Sequence, residues 1–183
     1  MSKARMKILK KEVVSGKNLF FRYPRSADLK DLMRTINSLV QERVEIAKTK
    51  KVSYKQEKIW LSNILKSIRK KETIMVVVEM DGVVVGSCQI TKDPFDVSRH
   101  VGTLGVALRK QGRGIGIGSK LIELSLIESR KIGIKLVKLY VFNTNNTARR
   151  LYKKFGFVDA GKIRNGVFHG GRYKDDIIMI KRL

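Results

Sequence analysis

Apolar residues in this chain either alternate with polar ones or recur every third to fourth position, and the two periods divide it into strands and helices. Lys7 to Val14 alternates loosely and predicts a first strand. Ser15-Gly16-Lys17-Asn18 is a turn signal, and Leu19-Phe20-Phe21-Arg22-Tyr23 predicts a second strand that Pro24 ends. Leu29, Leu32, Ile36 and Leu39-Val40 then fall on one face of a helix, with Ser26 as its N-cap. A polar segment from Gln41 to Lys51 leads to a second helix, whose inner face is Ile59-Trp60, Ile64 and Ile68. Ser53 and Gln56, three positions apart, have the form of a capping box for it. Trp60 reads as core or pocket rim.

Three strands follow: Thr73 to Glu79, Val83 to Thr91 and Arg99 to Leu108. Asp81-Gly82 is a strong hairpin signal between the first two. Lys92-Asp93-Pro94-Phe95-Asp96 is a loop. Next come a helix from Ile117 to Ser129, a strand from Leu136 to Phe142, and a helix from Thr147 to Phe155 capped within Thr144 to Asn146. Asp159 to Ile163 and Tyr173 to Ile180 read as two closing strands, with Asn165-Gly166 and Gly170-Gly171 marking the loop between them. The order is mixed α/β with a helix between central strands. The length of 183 residues suits one domain spanning 1–183.

The chemistry begins at Arg113-Gly114-Ile115-Gly116-Ile117-Gly118, which lies between the strand that ends at Leu108 and the helix that follows, with Ser119 next. Alternate glycines let the backbone bend tightly and approach a ligand. Amides at a helix start suit a phosphate. A P-loop would need Lys then Ser/Thr after its last glycine, and Gly118 is followed by Ser119-Lys120, the reverse. A dinucleotide fold would want a carboxylate at the end of the next strand, where Asn143-Thr144-Asn145-Asn146 stands instead.

A second cluster runs from Asn145 through Ala148, Leu151 and Tyr152 to Gly156-Phe157. Together the two clusters resemble the GNAT superfamily of acetyl-coenzyme A-dependent N-acetyltransferases. The family's pyrophosphate loop has Arg or Gln followed by Gly three and five positions later. Arg113, Gly116 and Gly118 fit, and so do Gln111, Gly114 and Gly116. The first register is preferred because it ends the cofactor-contacting strand at Val106-Ala107-Leu108. The resemblance implies a three-layer α/β fold around a central, mostly antiparallel, splayed seven-stranded sheet. It also implies acetyl-CoA as cosubstrate, with pantetheine beside Val106 and Leu108 and pyrophosphate on the amides of Arg113 to Ser119. Asn145 would meet the pantetheine region, and Arg109, Lys110 or Arg149 the 3′-phosphate.

Direct acyl transfer must hold an amine against a thioester, take a proton from the attacking ammonium and stabilise an oxyanion. By the resemblance, Tyr152 protonates the departing sulfur. Its reference pKa near ~10 is close to that of a thiol, while the alternative role is packing. Where many relatives carry a glutamate base this chain has Thr103. The candidates are therefore His100, three residues earlier, Glu79 at a strand end, and His169 in the last loop, with water as a further option.

Charge changes the picture of the acceptor. Forty Lys and Arg against 16 Asp and Glu give a formal net charge of +24. A field of that sign attracts polyanions and repels a multiply charged small cation. A protein or peptide amine is expected over a polyamine, with a local acidic groove near Glu79, Asp93 and Asp96 as the route for a basic target. A small-molecule acetyltransferase and a non-catalytic CoA-binding regulatory module remain alternatives. Weak association with ribosomes or nucleic acid through the basic surface stays open, as does the choice of monomer or homodimer. The single cysteine, Cys88, excludes an internal disulfide and reads as a buried small side chain. Two histidines are too few for a histidine-rich metal site, and no metal is expected. Met1-Ser2-Lys3-Ala4-Arg5 leads into no apolar stretch of signal-peptide type, and no segment reaches the ~20 apolar residues of a membrane span, so a cytoplasmic protein is expected.

Overall fold

The computed structural model describes residues 8–183. The expected strand start at Lys7 and the basic stretch before it lie outside the described residues. Fifteen short and long elements follow, of which eight strands and four α-helices carry the fold. They are β1 (Ile8–Val14), β2 (Lys17–Arg22), α1 (Leu29–Gln41), α2 (Tyr54–Arg69), β3 (Thr73–Met80), β4 (Val83–Lys92), β5 (Val101–Leu108), α3 (Ile117–Lys131), β6 (Leu136–Phe142), α4 (Asn146–Lys154), β7 (Val158–His169) and β8 (Arg172–Arg182).

All eight strands join one sheet in the order β1-β2-β3-β4-β5-β6-β8-β7. Neighbours are antiparallel except β5 and β6, which are parallel. The eighth strand, beyond the expected seven, is explained by the N-terminal hairpin. Ser15 and Gly16 adopt left-handed φ of 51° and 74°, so the chain reverses at once and β1 pairs along β2. The Asp81-Gly82 turn behaves likewise, with φ of 49° and 85°.

Alternation on β3 divides the core in two. Ile74, Val76, Val78 and Met80 pack with Leu121, Ile122 and Leu126 of α3, and Tyr152 of α4 belongs to the same cluster. Met75 and Val77 face the other way, onto Leu29, Leu32, Leu61 and Ile64 of α1 and α2. Trp60 packs against that second cluster and Cys88 is fully buried in the first, as their patterns predict. Each such side chain contributes about 1.5–3 kcal/mol of burial.

The Ser53–Gln56 capping box forms as read, with the Gln56 amide donating to Ser53 Oγ at 3.3 Å and the Ser53 amide to Gln56 Oε1 at 2.8 Å. Ser26 does not cap α1. It opens a short 3₁₀ turn, and the carboxylate of Asp28 takes the Arg25 amide at 2.8 Å instead. Asn165-Gly166 is likewise not the closing loop. The hairpin turns at Gly170-Gly171, and Asn165, at φ 52°, sits where the β7–β8 register shifts as a bulge within β7.

The most consequential feature is where pairing stops. β5 and β6 pair only through Val101–Leu136, Gly102–Val137 and Thr103–Lys138. β5 runs on to Leu108 and β6 to Phe142 without partners on their facing edges. Main-chain groups there that point away from β4 and β8 have no strand to bond, so the sheet splays into a wedge-shaped gap.

Candidate active site

The glycine loop closes one side of this gap. α3 starts at Ile117, and its N-cap Gly116 has φ +85°. Gly114 is also left-handed, at +80°, and both positions face open space where a Cβ would stand. Glycine is therefore required for backbone shape at Gly114, which belongs to the Gln111 register alone, and at Gly116, which is common to both registers. Gly118 has an ordinary helical φ, and its missing side chain leaves room over Leu108 and Leu151, 3.8 and 3.7 Å from a notional Cβ.

Six consecutive amides, from Gly114 to Ser119, donate to no described residue; the first helical bond is Lys120 N–H to Gly116 O at 3.1 Å. A row of unpaired donors at a helix start is the arrangement that binds an anion through the backbone. Arg113 does not face it as a free cation. Its Nε donates to Leu108 O at 2.9 Å and its Nη1 to Glu42 Oε2 at 2.7 Å, tying the loop to the end of β5 and to the end of α1. Arg109 is withdrawn too: it donates to Thr35 Oγ1 at 2.9 Å and Asp31 O at 2.8 Å, inside the α1 interface. Of the cations expected near the 3′-phosphate, Lys110 is exposed and unpaired among the described residues. Arg149 is split: its Nη2 reaches Asp159 at 3.1 Å, while its buried Nε has no partner.

Val106 and Leu108 lie along the unpaired stretch of β5 and pack on the α3-side core, and Ile115 and Ile117 anchor the loop to the same core. Opposite them, α4 begins at the C-terminal end of β6. Asn145 caps it, accepting the Ala148 amide on Oδ1 at 3.1 Å, which commits one end of the side chain and leaves its amide nitrogen. Tyr152 is 7% exposed and lies edge-on to Phe157, with ring centroids 5.9 Å apart. Its hydroxyl bonds to no described residue. Burial pushes this phenol well above its ordinary range, with Cys88 adding to the shift, so it holds its proton at neutral pH.

The expected bases fare differently. Glu79 is consumed by structure: Arg22, itself fully buried, donates to Glu79 Oε2 through Nε at 3.0 Å and Nη2 at 2.8 Å. The same guanidinium holds Asp28 by two bonds of 2.8 Å. Burial alone would lower the Arg22 pKa, but the two carboxylates outweigh it and raise it. His100 lies just before β5, at the closed end of the β5–β6 pair, where its carbonyl accepts the Lys135 and Leu136 amides at 2.8 and 3.1 Å. The gap opens beyond Thr103, roughly 13 Å further along at ~3.3 Å per residue. The expected acidic groove does not form either. Glu79 and Asp93 sit at opposite ends of the β3–β4 ladder, and Asp93 pairs with Lys138 at 2.7 Å.

His169 is the one candidate at the open end. It ends β7 and meets the Phe142 ring edge-on at 5.5 Å. An open cavity of about 500 Å³ lies beside it, lined also by Asn143, Thr144, Arg172 and Lys174. The α1 and α2 helices cover β3, β4 and part of β5, so the face of β6 and β8 that carries Tyr140, Phe142, Lys174 and Asp176 is left to the α1–α2 linker. That linker is pinned. Val52 exchanges two hydrogen bonds with the Asn37 side chain, at 2.8 and 3.0 Å, and Glu45 accepts from Lys174 and Thr144 at 2.5 Å each. Burial alone would raise the Glu45 pKa, but these bonds hold it below the ordinary glutamate range. Sequence reading passed over Glu45 and Asp176. Only the alternation of Asp176 with the core residues Ile177 and Met179 hinted that it turns to the opposite face. Among the described residues, no group of three or more His, Cys, Asp and Glu stands ready for a metal ion, and no helix is long and apolar enough to cross a membrane.

Residues 35–157 match the acetyltransferase (GNAT) family. The chain is 31% identical over 113 residues to the SPbeta prophage-derived N-acetyltransferase YokL of Bacillus subtilis, covering 60% of this chain and 62% of that protein. It is 31% identical over 128 residues to an N-acetyltransferase of Archaeoglobus fulgidus, covering 68% and 83%. The crystal structure of a ribosomal-protein-alanine N-acetyltransferase from Brucella melitensis superposes with a TM-score of 0.81 at 27% identity, covering 89% of this chain and 99% of that one.

Proposed function

Since this chain belongs to the acetyltransferase (GNAT) family, we propose that it moves the acetyl group of acetyl-CoA to a primary amine of a protein or peptide, by direct attack with both substrates bound. The observation that carries the reading is the run of six unpaired amides, Gly114 to Ser119, opening onto the gap between β5 and β6. Acetyl-CoA supplies an activated thioester carbonyl. The chain's own groups do the rest. The amides of Gly114 to Ser119 take the pyrophosphate charge without any counter-charge, as the helix dipole favours. The unpaired edge of β5 at Val106 to Leu108 offers main-chain bonds to the pantetheine amides, with the Asn145 amide nitrogen on the other bank. Lys110 and the orphaned Arg149 Nε are the cations suited to the 3′-phosphate. Tyr152, protonated and bonded to nothing else, donates to the leaving sulfur.

The protein or peptide acceptor rests on two supports. A net charge of +24 disfavours small polycations, and the similar Brucella protein is a ribosomal-protein-alanine N-acetyltransferase. The same basic surface would hold an acidic target or a ribosome weakly, by interactions that salt screens. The test is incubation with labelled acetyl-CoA and a panel of N-terminal peptides, lysine peptides, alkylamines and spermidine at ~50 and ~300 mM salt. A peptide with the highest kcat/KM, falling with salt when its flanks are acidic, is expected. A preference for spermidine would overturn the acceptor assignment, and no acetyl transfer to any amine would overturn the function.

A further inference from the structure

With Glu79 bound to Arg22, His100 at the closed end of the gap and His169 set edge-on against the Phe142 ring, the proton of the incoming ammonium still needs a destination. Asp176 on β8 answers that need. It sits in register between Phe142 of β6 and Ile163 of β7, on the row where β6 ends at the open mouth. Ile177 and Met179 point into the core under α3 and α4, so Asp176 and Ile178 point to the opposite face, the one the α1 and α2 helices leave bare. The neighbouring Asp175 is spent on the other face, taking the Asn165 amide at 3.0 Å and Lys162 at 3.5 Å. The Asp176 carboxylate has no hydrogen bond or ion pair to any described residue, although the chain carries 40 Lys and Arg. An unpaired, half-buried carboxylate in so basic a protein is left without its cation, and an acceptor ammonium is a cation of the right size and sign.

We propose that the Asp176 carboxylate receives the acceptor ammonium and takes its proton, directly or across one water, before the amine attacks. This rests on the acetyltransferase reading given above. One ammonium proton passes to the Asp176 carboxylate and from there to solvent. The freed nitrogen lone pair forms the C–N bond as the C–S bond breaks. The sulfur takes its proton from Tyr152, and the second proton lost from nitrogen restores the phenol. No oxidant, metal or further reactant is needed.

Of the charged groups on this face, Arg172 lies at the start of β8, four positions from Asp176. Lys174, two residues away on β8, is held by Glu45, and Lys138 on β6 by Asp93. Tyr140 on β6 also lies on this face, and His169 is set edge-on against Phe142 at the end of β7. Burial pushes the Asp176 carboxyl above its ordinary range, which brings it nearer the pH at which a base must work.

The experiment compares wild type, Asp176→Asn and Asp176→Glu on three amines: butylamine, a hexapeptide with a free N-terminal alanine, and O-methylhydroxylamine, which is already neutral at pH 7. Asp176→Asn should cut kcat/KM for butylamine by ~10²–10³-fold and for O-methylhydroxylamine by less than about five-fold. It should also remove the acidic limb of the pH profile, leave CoA affinity by calorimetry unchanged and leave Tm unchanged, and Asp176→Glu should recover part of the loss. Carbon-13 titration of the carboxyl, identified by its loss in Asp176→Asn, should give a pKa above the ordinary ~3.9, and its signal should move when butylammonium is added to the CoA complex. Equal losses for all three amines, or no loss, would overturn the proposal, as would a carboxyl that titrates at or below ~3.9. If wild type acetylates none of the amines the function itself falls. Asp176 is then judged by the carbon titration alone, and a signal indifferent to butylammonium ends its role.

Discussion

The two banks of the gap are built by different means. On the β5 side the groups that would meet a ligand are backbone: Gly114 to Ser119 in one continuous loop, and the unpaired edge of Val106 to Leu108 next to it. On the β6–β8 side they are side chains brought from far apart, with Glu45 from the α1–α2 linker, Tyr152 from α4 and Asp176 from β8. A backbone site tolerates changes of side chain and fails when the backbone changes shape. A side-chain site does the reverse. The difference suits a division of labour in which one bank binds a constant ligand and the other can vary with the acceptor.

The comparison is tested most severely at Tyr152, where the banks meet. Tyr152→Phe should lower kcat by ~10²–10⁴-fold while CoA affinity and Tm stay near wild type, because the ring still packs on Phe157. Pre-steady-state and steady-state rates on the preferred amine decide it, and a rate within a few-fold of wild type would give the ring a packing role alone.

Next is the backbone bank. Gly116→Val forces a β-branched residue to φ +85°, and its side chain would stand in the open space before the amides. Loss of about 100-fold in CoA affinity by calorimetry is expected. Ser119→Glu, which strains nothing, should act in the same direction by bringing a carboxylate to the phosphate site. Unchanged affinity in both folded variants would sink the backbone account.

The side-chain bank is probed at Glu45. Glu45→Gln should raise the acceptor KM by roughly 3–10-fold with CoA affinity unchanged, since the linker loses its hold on Lys174 and Thr144. The folded pKa is depressed, so the contact is fully formed above the unfolded value of ~4.3 and is lost only as pH falls through the lower folded pKa. Acceptor KM should therefore be flat from pH 8 to about 5 on this account.

The smallest effects belong to the two residues outside the gap. Glu79→Gln should lower stability by about 1–3 kcal/mol, read from denaturant unfolding, because Arg22 is buried and keeps only Asp28 as an ionised partner. His100→Gln should change kcat by less than about two-fold, since a base must stand within hydrogen-bond reach. In neither variant should the pH profile of kcat/KM shift. A shift in either would return that residue to the site.

The sequence by itself determined the elements and the backbone bank. Apolar periodicity gave β6 at Leu136–Phe142 with both ends right, and glycine spacing marked the loop before α3, because both signals are local and depend on near neighbours along the chain. Only the tertiary structure decided which charges remain free. Glu79, Arg109 and Arg113 read as available in the sequence, yet Arg22, Thr35 and Glu42, each more than 50 residues away, engage them. Asp176 read as one polar residue in a strand and emerged unpaired at the mouth of the gap. Pairing between charges is set by which distant segments the sheet order brings together, and no local pattern encodes that order.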